Sequence, residues 1–149
     1  MSLIERSALL PYPAEQVFDL VADIERYPEF LDGCVGAEVL ERGEESVTAT
    51  LRLSRAGISQ SFTTRNTMRR PQEIAMALVE GPFEQFTGVW SFRALGAEAC
   101  KTSLRLQFQL ASGLANVAVG KLFDKVAVDL VDAVVGRAAA LLPKSANRD

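Results

Sequence analysis

The chain has 149 residues, 48% hydrophobic and 23% charged, a composition that folds as one globular domain without metal or disulfide support. It has no histidine, and its two cysteines, Cys34 and Cys100, lie far apart, which removes imidazole acid–base work, His-ligated metals and Ser-His or Cys-His nucleophiles. The net charge of −3 divides into −8 over residues 1–45, +4 over 46–110 and +1 over 111–149, the pattern of a basic middle that meets something anionic or of a solvated face.

Leu3 to Leu10 reads as a strand ended by Pro11. Pro13 stands where a helix begins, with Glu15 in the first turn and Val17, Phe18, Val21 and Ala22 at helical spacing, which predicts a helix over 13–23. A second short helix is expected around Ile24–Tyr27, capped by Asp23 and stopped by Pro28. From residue 34 the period changes to 2. Val47, Ala49, Leu51 and Leu53 alternate with polar residues up to the turn Arg55-Ala56-Gly57. Ile58, Gln60, Phe62, Thr64, Asn66 and Met68 share one phase of the next strand. Ile74, Met76 and Leu78 follow, then Gly81-Pro82, then Phe86, Gly88, Trp90 and Phe92, and last Leu104, Leu106, Phe108 and Leu110. Ser112 is the expected cap of a helix from about 114 to 142, with Val119, Phe123, Val126, Ala127, Leu130 and Val134 on one face and Lys121, Asp124, Lys125, Asp129 and Asp132 on the other.

These elements predict a single α+β domain over 1–149: a curved antiparallel sheet of about six to seven strands around a long C-terminal helix, with two short helices after the first strand. A helix is about 10–12 Å across, whereas strands lie about 4.8 Å apart. Several strands outspan one helix, so the sheet must curl, and the space left over becomes a pocket. The inward residues Phe62, Met76, Phe86, Trp90 and Phe108 would line either a site for a lipophilic molecule or a closed core. Gln60, Thr64 and Asn66 on the same phase would donate to a ligand oxygen or lie at strand ends.

The inward phases carry no Asp, Glu, Lys or Arg, and the glycines form no phosphate-binding pattern, so no catalytic constellation and no cofactor are expected. Arg52, Arg65, Arg69, Arg93, Lys101 and Arg105 fall on the outward phase, where they would meet anionic lipid or ribosomal RNA or serve solubility alone. Outward aromatics for base stacking are missing. No hydrophobic leader and no bilayer-length apolar run is read, so a cytoplasmic protein is expected, with peripheral contact at the inner membrane face if the basic surface meets lipid.

Several segments carry a resemblance. They are Pro13-Ala14-Glu15-Gln16-Val17-Phe18, Tyr27-Pro28-Glu29-Phe30-Leu31 with Gly33-Cys34, and Ala56-Gly57-Ile58. They continue with Ser61-Phe62-Thr63-Thr64-Arg65-Asn66, Gly81-Pro82-Phe83, Trp90-Ser91-Phe92 and Glu98-Ala99-Cys100. Together these resemble the START-like, helix-grip superfamily, and within it the coenzyme-Q-binding protein family, which includes a branch of ribosome-association toxins. The resemblance implies a cavity for ubiquinone or another polyisoprenoid lipid, held by a carrier that supports respiration and is not an enzyme. The toxin branch implies instead a contact with the large ribosomal subunit that blocks subunit association, and the superfamily's cyclases supply a third reading. The expected ligand-binding set adds Val119, Phe123, Val126 and Leu130 from the long helix. Phe30, Leu31 and Phe83 are expected either as a lid that dips into a bilayer or as a seal on the core.

Overall fold

The computed structural model describes residues 2–111 and 117–142, so the expected Ser112 cap lies outside the described residues. Its elements are β1 (Ser2–Leu10), α1 (Ala14–Ala22), a 3₁₀ segment (Ile24–Glu29), β2 (Cys34–Arg42), β3 (Ser46–Arg55), β4 (Ile58–Arg69), β5 (Glu73–Glu80), β6 (Phe83–Ala94), β7 (Cys100–Leu110) and α2 (Val117–Leu141). The second short helix is 3₁₀ rather than α because Pro28 sits within it and can donate no α-type bond.

Strands β2 to β7 form an antiparallel meander and β1 joins it beside β7, giving one seven-stranded sheet in the order β1-β7-β6-β5-β4-β3-β2. Ala56 and Gly57, both at positive φ (53° and 82°), make the two-residue turn between β3 and β4. That turn fixes the pairing Arg55↔Ile58 and, behind it, Leu51↔Phe62 and Ala49↔Thr64. Each strand therefore puts its apolar phase on one side, and α2 lies across that side with Val119, Leu122, Phe123, Val126, Ala127, Val131, Val134 and Ala138 buried. Helix α1 closes the remaining end by burying Ala14, Val17, Phe18 and Val21.

Gly88 faces this interior, where a Cβ would stand 2.7 Å from Leu106 Cδ1 and closer still to the Met76 methyl. Its missing side chain is what lets Met76 and Leu106 approach across β6. Two exposed ion pairs tie the helical elements down. Arg70 holds Asp19 through two bonds of 2.8 and 2.9 Å, and Arg137 on α2 donates to Glu29 at 2.7 Å.

Candidate functional site

Between sheet and α2 lies a cavity of about 70 Å³. Its wall is built from inward residues of β3 to β7, the α2 residues Phe123, Val126, Ala127 and Leu130, and the turn residues Ile24, Tyr27 and Leu31. Phe62, Phe83, Phe86, Phe108 and Phe123 form one continuous cluster, with ring centroids of Phe83 and Phe123 4.7 Å apart and those of Phe83 and Phe86 5.1 Å apart. Trp90 lies beyond them, 1% exposed and stacked on Phe92.

Polar groups in the wall are few. Thr64 Oγ1 donates to Asn66 Oδ1 at 2.9 Å, and both residues are buried. The bond uses the Asn66 oxygen, which leaves its amide N–H groups for whatever enters. The Tyr27 hydroxyl is committed to the Val21 carbonyl at 2.6 Å, and burial pushes its ionisation far above the ordinary phenol range. Cys34 and Cys100 are buried free thiols whose pKa values burial also raises, so they are packing residues rather than nucleophiles.

Of the expected ligand-binding residues, Leu31, Phe62, Thr64, Asn66, Met76, Phe83, Phe86, Trp90, Phe108, Phe123, Val126 and Leu130 border this cavity. Gln60 does not: it sits half-buried one rung before Phe62, outside the wall. Val119 is buried a turn before Phe123, also outside. Phe30, Leu31 and Phe83 pack against the core in this structure. Leu31 and Phe83 are 3% and 7% exposed, and Phe30 stands edge-on to Tyr27 under the Arg137 guanidinium, 5.2 Å from its ring. Leu31 and Phe83 are thus buried, and Phe30 is half-buried. A register shift between Thr63 and Thr64 against β5 buries both threonines yet leaves Thr64 and Asn66 facing in. Tyr27, Ile24 and Val21 border the cavity although the periodicity assigned them no such role. Val21 belongs to the apolar face of α1, whereas Ile24 and Tyr27 lie in the 3₁₀ segment around Pro28, where a 3.6-residue period does not apply.

The cavity is too small for a quinone ring with its substituents, since small-molecule sites span about 300–1,000 Å³. As it stands, about 70 Å³ has room for a few waters at most.

On the outer face, Arg52, Arg65, Arg69, Arg93, Lys101 and Arg105 are all exposed, but they do not form one patch. Arg65 lies 3.9 Å from Glu41, Arg105 lies 3.9 Å from Glu5, and Arg69 is opposite Glu73. The Arg52 guanidinium covers Gly36 on β2 at the far side of the sheet. Arg93 and Lys101 stand directly opposite each other.

Comparison with known proteins places this geometry. A family model described as "polyketide cyclase / dehydrase and lipid transport" matches residues 10–135. The chain belongs to that family. The chain is 48% identical over 138 residues to the "Ribosome association toxin RatA" of Pseudomonas aeruginosa, covering 93% of this chain and 96% of the relative. A mitochondrial "Coenzyme Q-binding protein COQ10" of Dictyostelium discoideum is 26% identical over 92 residues, 60% of this chain and 45% of the relative. Among solved structures, the Zhui aromatase/cyclase of Streptomyces sp. R1128 superposes with a TM-score of 0.83 at 21% identity, covering 99% of each chain. That identity shows the START-like helix-grip fold alone, because members of this family put different chemistry on it. Among the described residues no helix is long and apolar enough to cross a membrane, and no group of candidate metal ligands occurs.

Proposed function

We propose that this protein is a ribosome-association factor of the RatA type, which binds the large ribosomal subunit and hinders its joining to the small one. The observation that carries the reading is the near full-length similarity to RatA, at 48% identity. Two features of the geometry support it. The cavity between sheet and α2 is small, about 70 Å³, and the exposed basic side chains lie on the opposite face of the sheet, where a large anionic partner can reach them. The test is sedimentation of purified subunits on a sucrose gradient with added protein. The expected result is salt-sensitive co-sedimentation with the large subunit and loss of the joined particle. An undiminished joined-particle peak with no protein in the large-subunit fraction refutes the reading.

A second reading rests on the Asn66 amide inside an otherwise apolar cavity, which suits the carbonyl of a lipophilic ligand such as an isoprenoid quinone. Binding requires α2 to move off the sheet, given the volume. Organic extraction with mass spectrometry, followed by a ubiquinone titration of Trp90 fluorescence, tests it. A stoichiometric quinone with saturable quenching is expected. Empty protein with flat fluorescence removes this reading and leaves the ribosomal one untouched.

A further inference from the structure

Each strand of the sheet presents its second phase outward, and the register turns that phase into rows. Ser7, Ser103 and Ser91 lie side by side across β1, β7 and β6, and form the floor of a shallow groove bordered by Arg6 and by Arg105, which lies 3.9 Å from Glu5 on the same rim. Two residues along, Arg93 and Lys101 face each other across β6 and β7. Like charges placed opposite on a sheet are destabilising, and neither side chain has an ion pair among the described residues. Both side chains are exposed, so water and salt screen part of this repulsion, and a bound anion would offset it directly. Outward aromatics are missing from this face, so splayed single-stranded bases would find nothing to stack on. Hydroxyls and cations arranged in rows instead match the phosphates and 2′-hydroxyls of an A-form RNA backbone, which is read by shape rather than by sequence.

We propose that the outer face of β1, β7 and β6, with Arg93 and Lys101 as phosphate contacts beside the Ser7–Ser103–Ser91 row, docks on a double-helical segment of RNA. This rests on the ribosomal reading and names the part of the subunit that is touched.

The test compares wild-type protein with the double variant Arg93→Glu/Lys101→Glu and the charge-matched control Lys121→Glu/Lys125→Glu on the exposed side of α2. Binding is measured to purified large subunits, to an RNA duplex of about 20 base pairs, to one of its single strands, and to vesicles of phosphatidylglycerol and phosphatidylcholine. Each phosphate contact releases about 0.9 counterion, so losing two weakens binding about 60-fold at about 0.1 M salt and flattens the slope of log K against log salt by about 2. The control keeps wild-type affinity for subunit and duplex, and its circular dichroism, like that of the double variant, is unchanged. If the glutamate pair disturbs the fold, Arg93→Gln/Lys101→Gln reads the same slope change without charge reversal.

An unchanged slope in the double variant, with wild-type protein still bound to the subunit, overturns the docking face and leaves the ribosomal reading standing. Wild-type protein that binds no large subunit overturns both. Equal loss in the control, preference for the single strand, or binding to vesicles and not to RNA each overturns the proposal as well.

Discussion

The paired substitution Thr64→Val/Asn66→Leu asks whether the buried polar pair belongs to the core or to a ligand. The two residues share one 2.9 Å hydrogen bond and are 7% and 5% exposed. Removing one partner strands the other. Asn66→Leu alone leaves the Thr64 hydroxyl facing an apolar wall and should cost about 1–3 kcal/mol, and Thr64→Val should cost a similar amount by stranding the Asn66 oxygen. Replacing both with shapes of equal size removes the polar groups and their desolvation together, so the double variant should lie within about 1 kcal/mol of wild type or above it. Urea unfolding of the four proteins measures this coupling. A double variant as unstable as the sum of the singles would refute the pairing. The same set reads the ligand: a quinone at about 100 times its Kd stabilises the wild type by about 2.7 kcal/mol. That gain should shrink in the double variant if the Asn66 amide holds the carbonyl.

Phe83→Ala removes the ring that touches Phe62, Phe86, Phe108 and Phe123 and should cost about 3–5 kcal/mol in urea unfolding; a loss under about 1 kcal/mol would return Phe83 to the surface. Glu29 has its pKa lowered from the usual 4.5, first by its hydrogen bond from Arg26 and then by that from Arg137. A lowered folded-state pKa stabilises above the unfolded value, and that contribution fades as pH falls through the folded one. The Tm advantage of wild type over Glu29→Gln should therefore narrow below pH 4.5, and an advantage constant with pH would count against the contact. Cys34 and Cys100 should stay unreactive to Ellman's reagent until urea unfolds the chain, because both are buried and their pKa values raised. Rapid labelling of the native protein would contradict that burial.

The sheet was legible because its alternation is clean. Phe86, Gly88, Trp90 and Phe92 share a phase in the sequence and an inner face in the structure, and Phe123, Val126 and Leu130 border the cavity as their helical spacing requires. Periodicity says which way a side chain points, not how far the opposing layer stands. The cavity volume is a small remainder between two packed surfaces, set by such details as the Met76 methyl sliding into the space that Gly88 leaves. Phe83 and Leu31 stay between lid and seal in the sequence for a related reason. They lie beside turns, and a turn residue points wherever the chain doubles back, here into the core. On the outer face the phase of Arg65 and Arg105 was plain, but their partners Glu41 and Glu5 come from the two edge strands β2 and β1. That neighbourhood depends on strand order, and strand order is absent from any local pattern.

Consecutive residues of one strand serve opposite sides of this molecule. Trp90 borders the cavity while Ser91 lies in the outer groove, and Leu104 is buried beside the groove's Ser103. An outer-face substitution therefore leaves the inner wall in place unless the strand itself moves. On the quinone reading, ligand entry would move it, because about 70 Å³ is less than small-molecule sites span and helix and sheet would have to separate. A sheet that opens around a ligand changes its twist, and with it the spacing of the rows that face outward. Linkage then requires the effect to run both ways: a ligand that alters affinity for the ribosomal subunit is itself held more or less tightly, by the same factor, when the subunit is bound. Lipid and ribosome are in that case two ends of one equilibrium across a single sheet. If the cavity stays closed, the inner face is core and the outer face acts alone.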